Sequence, residues 1–384
     1  MTDELTELIQ DLVRIETENP PGNEAAAAEY IHDWFTEQGI DSWLVEEPYP
    51  DRPQVAARVG DGDPTIVLNG HIDVVPAGDP EQWDYDAYGA EIDDGKLYGR
   101  GSVDMKAQVA IGMLLARDLG PELESGDLPG SVVVHAAIGE ETGEPGTKAL
   151  LEAGYDGDYG VVLEPTKMRT ATSEKGLAWY EIAVEGAPSH ASRPDQGKNA
   201  IMHARPLLDA IEAYDAELRT RTDPLVEQAY ATVTKFEAGT KENVVPERAT
   251  ITIDRRILPG EAVEGVDAEI DDIVSEFAQE HDADASWERI RTYEAAEIDV
   301  DSPLAEVFRK HSEDVGGVAP EPWGIQASTD VRNFVNDASV EAITWGPGDL
   351  SRAHSFNEYI ELAEIEAGYD VLDRAVRELL TNES

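Results

Sequence analysis

The chain of 384 residues has no cysteine. Disulfides and thiolate metal sites are therefore excluded, and any metal must be held by nitrogen and oxygen donors. No apolar run approaches the ~20 residues needed to cross a bilayer, so no membrane partner is expected. The first residues, MTDELTELIQDLVRIE, are acidic and amphipathic. They lack the basic and apolar regions of a secretory signal, which makes the cytoplasm the expected location. Positive charge is scarce too: 29 Lys and Arg stand against 81 Asp and Glu, a formal net charge of -52. Phosphate backbones are bound by basic patches, so nucleic acid is not an expected partner.

The acidic residues are spread along the whole chain, with no terminal block. An acidic tail for a cationic partner does not fit that distribution. Adaptation to a high-salt cytoplasm does. Self-repulsion on this scale destabilises a compact fold in dilute buffer. At molar salt the screening length falls to ~3 Å and most of the repulsion is lost.

What is present is enough for a folded protein of two domains. Leu5, Leu8, Ile9, Leu12 and Val13 form a helical stripe. After NPPG, residues 24–38 read as a second helix that Gly39 stops. Strand-like runs follow at 42–46, 55–59 and 66–75, then a helix at 105–118, a buried strand at 131–138, a helix at 147–153 and a strand at 159–163. Such alternation predicts an α/β layered domain with a mostly parallel central sheet. From 177 the pattern changes to strand, helix, strand, strand, helix, strand, ending near 293. That order is the ferredoxin-like α+β arrangement. The expected organisation is a discontinuous domain, 1–175 and 293–384, with an inserted lid at 176–292. A helix at 362–379 should close the chain.

The chemistry-bearing residues cluster at the ends of apolar runs. His71 and Asp73 lie in TIVLNGHIDVVP, Asp104 in YGRGSVDMK, Glu140 and Glu141 in SVVVHAAIGEETG, Glu164 in YGVVLEPT and His354 in GPGDLSRAHSFNE. In open α/β sheets ligands collect beyond the carboxyl ends of strands. Two imidazoles with several carboxylates suit zinc or a similar divalent ion better than calcium. A bridging carboxylate could hold two such ions and activate a shared water. Each residue also has a plainer reading. His71 could be a hydrogen-bonded core histidine, Asp104 a helix cap, and Glu140 with Glu141 an exposed acidic pair. His135 reads as a core residue, and His32, His203, His281 and His311 have no supporting motif.

Taken together the strings GHIDVVP, GRGSVDMK, GEETGEPGT, LEPT, GAPSHASRPDQGKNA and HSFNE resemble, in order and nearly end to end, the co-catalytic dizinc exopeptidases and deacylases. That family includes acetylornithine deacetylase, succinyl-diaminopimelate desuccinylase, aminoacylase and glutamate carboxypeptidase. The resemblance implies two zinc ions per subunit, with cobalt or manganese possible. It places Asp104, Glu141 and His354 on one ion and His71, Asp104 and Glu164 on the other, with Asp104 as the bridge. It makes Asp73 the residue that orients His71, and Glu140 the general base. It gives His190, in APSHAS, the role of oxyanion donor reaching across a dimer formed by the lid. Arg256 and Asn243 become candidates for contact with a substrate carboxylate, with Thr329 in a further substrate-side loop; Arg255 should face away as a structural residue. Each Arg could equally pair with a surface acid, and His190 could be an exposed bystander. Ala107 and Gln108 depart from the family pattern, which has small glycines there. The implied activity is hydrolysis of an amide in a small carboxylate-bearing N-acyl amino acid. A dipeptidase or carboxypeptidase is the alternative within the enzyme class, and a metal- or ligand-binding protein without catalysis the alternative outside it.

Overall fold

A computed structural model describes residues 2–381. The chain divides into two compact units. One comprises the described residues up to Thr172, Ile298–Gly324 and those from Thr329 onward; the other comprises Ser173–Glu297 with Ile325–Ser328.

The larger unit is built on a twisted sheet. Six consecutive strands of this nine-stranded sheet run in the spatial order Asp41–Val45, Gln54–Val59, Ser131–Ala137, Thr65–His71, Tyr159–Val162 and Glu341–Thr344. The last four of these pair in parallel, and the first two join them antiparallel. Every residue of Ser131–Ala137 and of Thr65–His71 is buried. Largely apolar runs such as VVVHAA and TIVLNG suit strands covered on both faces, which a parallel sheet requires. The helix Lys106–Ser125 packs on these strands, and Thr2–Arg14 and Leu362–Thr381 pack on it in turn. Ile9, Leu12, Met113, Leu114, Phe308 and Leu372 are among the residues of the resulting main core, and Val45, Ala56, Ala137 and Leu150 form a smaller cluster.

Some elements were not legible in the pattern. Pro303–Gly316 is a helix whose start is fixed locally: the Ser302 hydroxyl accepts from the Ala305 N–H at 3.2 Å, and Pro303 occupies the first helical position. Glu341–Thr344 has only four residues. A small sheet of three-residue strands, Glu91–Asp93, Lys96–Tyr98 and Tyr359–Glu361, is shorter still. The strand expected to run to 75 ends at His71, where the chain leaves the sheet and Val74 N–H turns to Thr17 O at 3.0 Å.

The smaller unit is the ferredoxin-like block. Its strands lie in the order Tyr230–Ala238, Arg248–Ile257, Gly176–Glu185 and Asp284–Tyr293, all antiparallel. Arg248–Ile257 alternates strictly between buried and more exposed positions, the signature of a sheet with one covered face. Helices Ala200–Leu218 and Val263–His281 supply the cover, with Leu207, Ile211, Val266 and Ile270 in a core separate from that of the larger unit. The chain enters and leaves this unit on neighbouring strands, where Leu177 pairs with Tyr293.

Candidate metal centre

Three adjacent parallel strands aim their ends at one place. His71 is the last residue of its strand, Glu140 and Glu141 lie three and four residues past Ala137, and Glu164 lies two past Val162. Gly139 makes the turn after the second strand at φ +81, a backbone conformation that glycine adopts without strain. Gly146 must be glycine for another reason: a Cβ there would lie 1.9 Å from the Ile138 carbonyl oxygen. Asp104 comes from the turn before the helix Lys106–Ser125. The N-cap of that helix is Met105, which makes no side-chain cap bond, so Asp104 is not spent as a cap. His354 arrives from the loop after Glu341–Thr344 with φ +57, an uncommon conformation for a residue with a Cβ.

The donor atoms converge. His71 Nε2 lies 3.2 Å from Asp104 Oδ1 and 3.6 Å from Glu164 Oε1. His354 Nε2 lies 3.3 Å from Asp104 Oδ2 and 2.9 Å from Glu141 Oε2. Asp104 therefore divides its two oxygens between two separate imidazole–carboxylate groups. Ligand atoms of His71, Asp104 and Glu141 also all lie within 4.8 Å of one another. His71, Asp104 and Glu164 are buried, whereas His354 is exposed.

The electrostatics of this cluster favour cations. Burial alone would lower the His71 pKa, but Asp104, Glu164 and Asp73 hold it well above the usual imidazole value. His354 is pushed up to about 10 by its bonds to Asp104 and Glu141. Burial works to raise Asp104, yet the two imidazoles outweigh it and hold the carboxyl below its usual range. Glu164 is raised well above its ordinary value, chiefly by burial and then by the Asp104 charge. Glu140 is pushed up to about 8, mainly by burial, with Asp330 and Glu141 adding to it. Carboxylates crowded this tightly need positive charge among them, and two N,O donor groups sharing one carboxylate fit a pair of divalent ions.

Asp73 is fully buried, and its main chain and its carboxylate do different things. The His71 Nδ1 atom lies 2.9 Å from the Asp73 backbone oxygen but 3.6 Å from its carboxylate. The main chain of Asp73 thus orients the ring. The carboxylate instead accepts the backbone N–H groups of Glu140 at 3.3 Å and Glu141 at 3.2 Å, and the Asn19 amide at 3.0 Å. Burial raises it to about 6. Asn19 also reaches Thr142 and Glu144, and Arg52 bridges Glu144 to the buried Glu24. The string NPPG reads as a chain break, and nothing in the pattern marked Asn19 as a support for this loop.

Several other candidates are placed differently from one another. Thr329 is buried, with its hydroxyl 3.1 Å from that of Thr344 and accepting from Val331 N–H. The neighbouring Asp330 accepts from Thr147, Arg332 and Asn333. His135 is a core residue, bonded to the Tyr155 carbonyl at 2.8 Å, and burial pushes it down to about 4. Gln108, where a small residue was expected, is fully buried and its amide bonds two main-chain carbonyls, Val103 O and Pro347 O, at 2.8 Å each.

In the smaller unit His190 is exposed. Its Nδ1 accepts the Ser192 backbone N–H at 3.2 Å and lies 2.8 Å from the Ser192 hydroxyl. A backbone N–H can only donate, so the proton of the neutral ring sits on Nε2. Exposed Asn243 lies beside it: the Asn243 carbonyl accepts from Ala191 N–H, and His190 bridges to Val244. Arg256 is half-buried and paired side-on with Asp254 through Nε at 2.8 Å and Nη2 at 3.1 Å. Arg255 points to the covered face, fully buried against Tyr214 and Glu261.

Comparison with known proteins agrees with this architecture. The model of peptidase family M20/M25/M40 matches residues 67–378. An N-formyl-4-amino-5-aminomethyl-2-methylpyrimidine deformylase from Halalkalibacterium halodurans is 26% identical over 396 residues, covering 94% of this chain and 91% of that protein. An acetylornithine deacetylase from Myxococcus xanthus is 30% identical over 324 residues, covering 83% and 80%. Among solved structures, a metallo-carboxypeptidase from Sulfolobus solfataricus superposes with a TM-score of 0.81 over 99% of this chain and 100% of its own, at 16% identity, a likeness of fold. The family match spans most of the chain and the relatives extend nearly end to end: the chain belongs to peptidase family M20/M25/M40 and is a hydrolase acting on amide bonds.

Proposed function

We propose that the chain is a two-metal deacylase that hydrolyses the amide of a small N-acyl amino acid carrying a carboxylate. The observation that carries this reading is the division of the Asp104 oxygens between the His71–Glu164 and His354–Glu141 groups. His71, Asp104 and Glu164 would hold one ion, and Asp104, Glu141 and His354 the other; zinc suits the donors, with cobalt or manganese as substitutes. Such a pair of ions, when bound, polarises a carbonyl and supplies a nucleophilic water at neutral pH.

The protein's own groups do the rest. Glu140 stands beside the ligand set and is the group to take the proton from the attacking water and return it to the leaving nitrogen. Positive charge at the centre opposes the burial that raises Glu140, and so favours the carboxylate form that a base needs. The Asp73 carboxylate fixes the main chain at Glu140 and Glu141. His190 presents Nε2–H, the donor needed where an oxyanion develops. Arg256 and Asn243 are the substrate contacts of the lid, with Asp254 holding the Arg256 guanidinium in one orientation.

The two sequence relatives described above support deacylation, since both names describe removal of an acyl group from an amine, and the carboxypeptidase fold keeps peptidase action as the alternative. A homodimer through the lid is supported by its edge strand Tyr230–Ala238, which exposes Val233 and Phe236, and by the exposed Ile201 and Met202. The charge of -52 supports a high-salt cytoplasm as the working environment. Among the described residues no helix is long and apolar enough to cross a membrane. The deciding experiment is a hydrolysis screen in molar KCl with added zinc or cobalt, comparing N-acetyl and N-succinyl amino acids with dipeptides. Turnover of dipeptides alone would replace the deacylase reading with a peptidase; no turnover with metal bound would leave only a binding protein.

A further inference from the structure

The strings that supply Asp104 and His354 also supply a buried ion pair that the chemistry above does not use. Arg100 is 3% exposed and Glu358 is 1% exposed. Arg100 Nη1 donates to Glu358 Oε2 at 2.6 Å and to the carbonyl of Ser355, the residue after His354, at 3.2 Å. The other Glu358 oxygen, Oε1, accepts the backbone N–H of Val103 at 3.0 Å and of Asp104 at 3.3 Å. From a second direction Gln108 holds the Val103 carbonyl, and it ties that carbonyl to Pro347. Both polar groups of the Val103 main chain are thus held by side chains, and so is the N–H of Asp104.

A buried ion pair is a poor way to add stability, because desolvation offsets most of the attraction. This pair is arranged for geometry instead. One carboxylate joins the turn that bears the shared ligand to the loop that bears the exposed one. We propose that Glu358, assisted by Gln108, is a positioning residue for the two-metal centre, fixing the main chain at Asp104 so that its two oxygens face two different imidazoles. The inference rests on the two-metal reading given above. Glu358 touches neither substrate nor ion; it acts through Asp104 and, by way of Arg100, through the His354 loop.

The test is metal affinity, read independently of turnover. Wild-type protein is first loaded with zinc in molar KCl, and its metal content is counted by mass spectrometry. Fewer than two ions per chain would remove the two-metal reading and this proposal together. With two ions present, Glu358→Gln is compared with wild type by competition against a chelator. The amide keeps one acceptor but sets an NH2 group against either Arg100 or the Val103 and Asp104 N–H groups. Residues that orient ligands typically change affinity by about 10- to 100-fold, and a loss in that range is expected. The visible spectrum of the cobalt-loaded variant should change as well, and excess metal should restore part of kcat. A variant that melts earlier without metal but binds both ions within twofold of wild type would show that Glu358 is merely structural. If Glu358→Gln does not fold, Gln108→Ala decides: weaker binding of the ion pair supports the clamp, and unchanged affinity overturns it.

Discussion

Substituting Asp73→Asn separates two roles that one residue could play. The Asp73 carboxylate accepts from Glu140 N–H on Oδ1, and from Glu141 N–H and the Asn19 amide on Oδ2. An asparagine can keep only one of these oxygens. The amide should retain oxygen at the doubly used position, leaving the Glu140 N–H, at 3.3 Å the longest of the three bonds, facing an NH2 group. An unsatisfied buried donor costs about 1–3 kcal/mol. If about 2 kcal/mol of this appears as misplacement of Glu140 in the transition state, kcat falls about 30-fold. The Asp73 backbone oxygen that holds His71 Nδ1 is untouched by the change, so metal content and affinity should stay near wild type. Had the carboxylate been the element orienting His71, the same substitution would weaken metal binding about 10- to 100-fold. The assay is kcat on the best substrate of the screen, alongside zinc affinity by chelator competition and a urea melt. Normal kcat with weakened metal would refute the reasoning, as would a loss of affinity that accounts for the whole loss of rate.

Glu140→Ala should retain two metals while losing about 10²- to 10⁴-fold in kcat, the usual worth of a general base; loss of metal together with rate would make Glu140 a ligand instead. Thermal melts across a KCl series should show Tm rising from low to molar salt, because the net charge of -52 is then screened, and a flat series would sink the high-salt reading. His135 is neutral in the core, with its pKa pushed down to about 4 from about 6.5 in the unfolded chain. The unfolded state therefore takes up the proton first: this contribution is complete above pH 6.5 and is lost as pH falls toward 4, to about 3 kcal/mol. His135→Gln should reduce the pH slope of urea stability by about one proton in that window, and an unaltered slope would contradict it. Finally, if His190 serves the partner copy, mixing inactive His190→Ala and Glu140→Ala subunits should return half the wild-type activity per heterodimer; confirmed exchange without recovery would reject the trans arrangement.

The pattern of apolar runs made most of the larger unit's strands readable, and with them the place where ligands gather. Glu141 and Glu164 follow runs that are buried on both faces, so their positions past strand ends were implied by hydrophobicity alone, whereas the run holding His71 reads on to 75 and the strand stops at the histidine. The meeting of Asp104 with His354 was not. Those residues lie 250 positions apart on irregular backbone, which carries no periodic signal. Their pairing came from likeness to a family. The ferredoxin-like block was legible from its order of strands and helices, and in Arg248–Ile257 from strict alternation, where the odd-numbered Arg255 is buried and Arg256 is not. Supports such as Asn19, Arg100 and Glu358 stayed hidden, because a polar residue bonded across the fold looks in sequence like any other polar residue. The way Asp73 reaches His71 stayed hidden for a related reason. Sequence gives the residue, but not whether its main chain or its carboxylate faces the ring.

The entry and exit of the smaller unit are partners in one sheet, with Leu177 opposite Tyr293. This bears on how the polypeptide assembles. Tyr159–Val162 and Glu341–Thr344 must find each other across roughly 180 intervening residues, and closing so long a loop is slow as well as entropically unfavourable. A lid that collapses first around its own core turns most of that loop into a hairpin-like detour whose ends already touch. The remaining search is then short. The expected order is lid before Glu341–Thr344, with His354 delivered after it. In pulse-labelled hydrogen exchange, amides of Gly176–Glu185 should gain protection before those of Glu341–Thr344, and the reverse order would exclude this route. The proposed metal ligands at the ends of Thr65–His71, Ser131–Ala137 and Tyr159–Val162 would wait, incomplete, until the chain beyond the lid had docked.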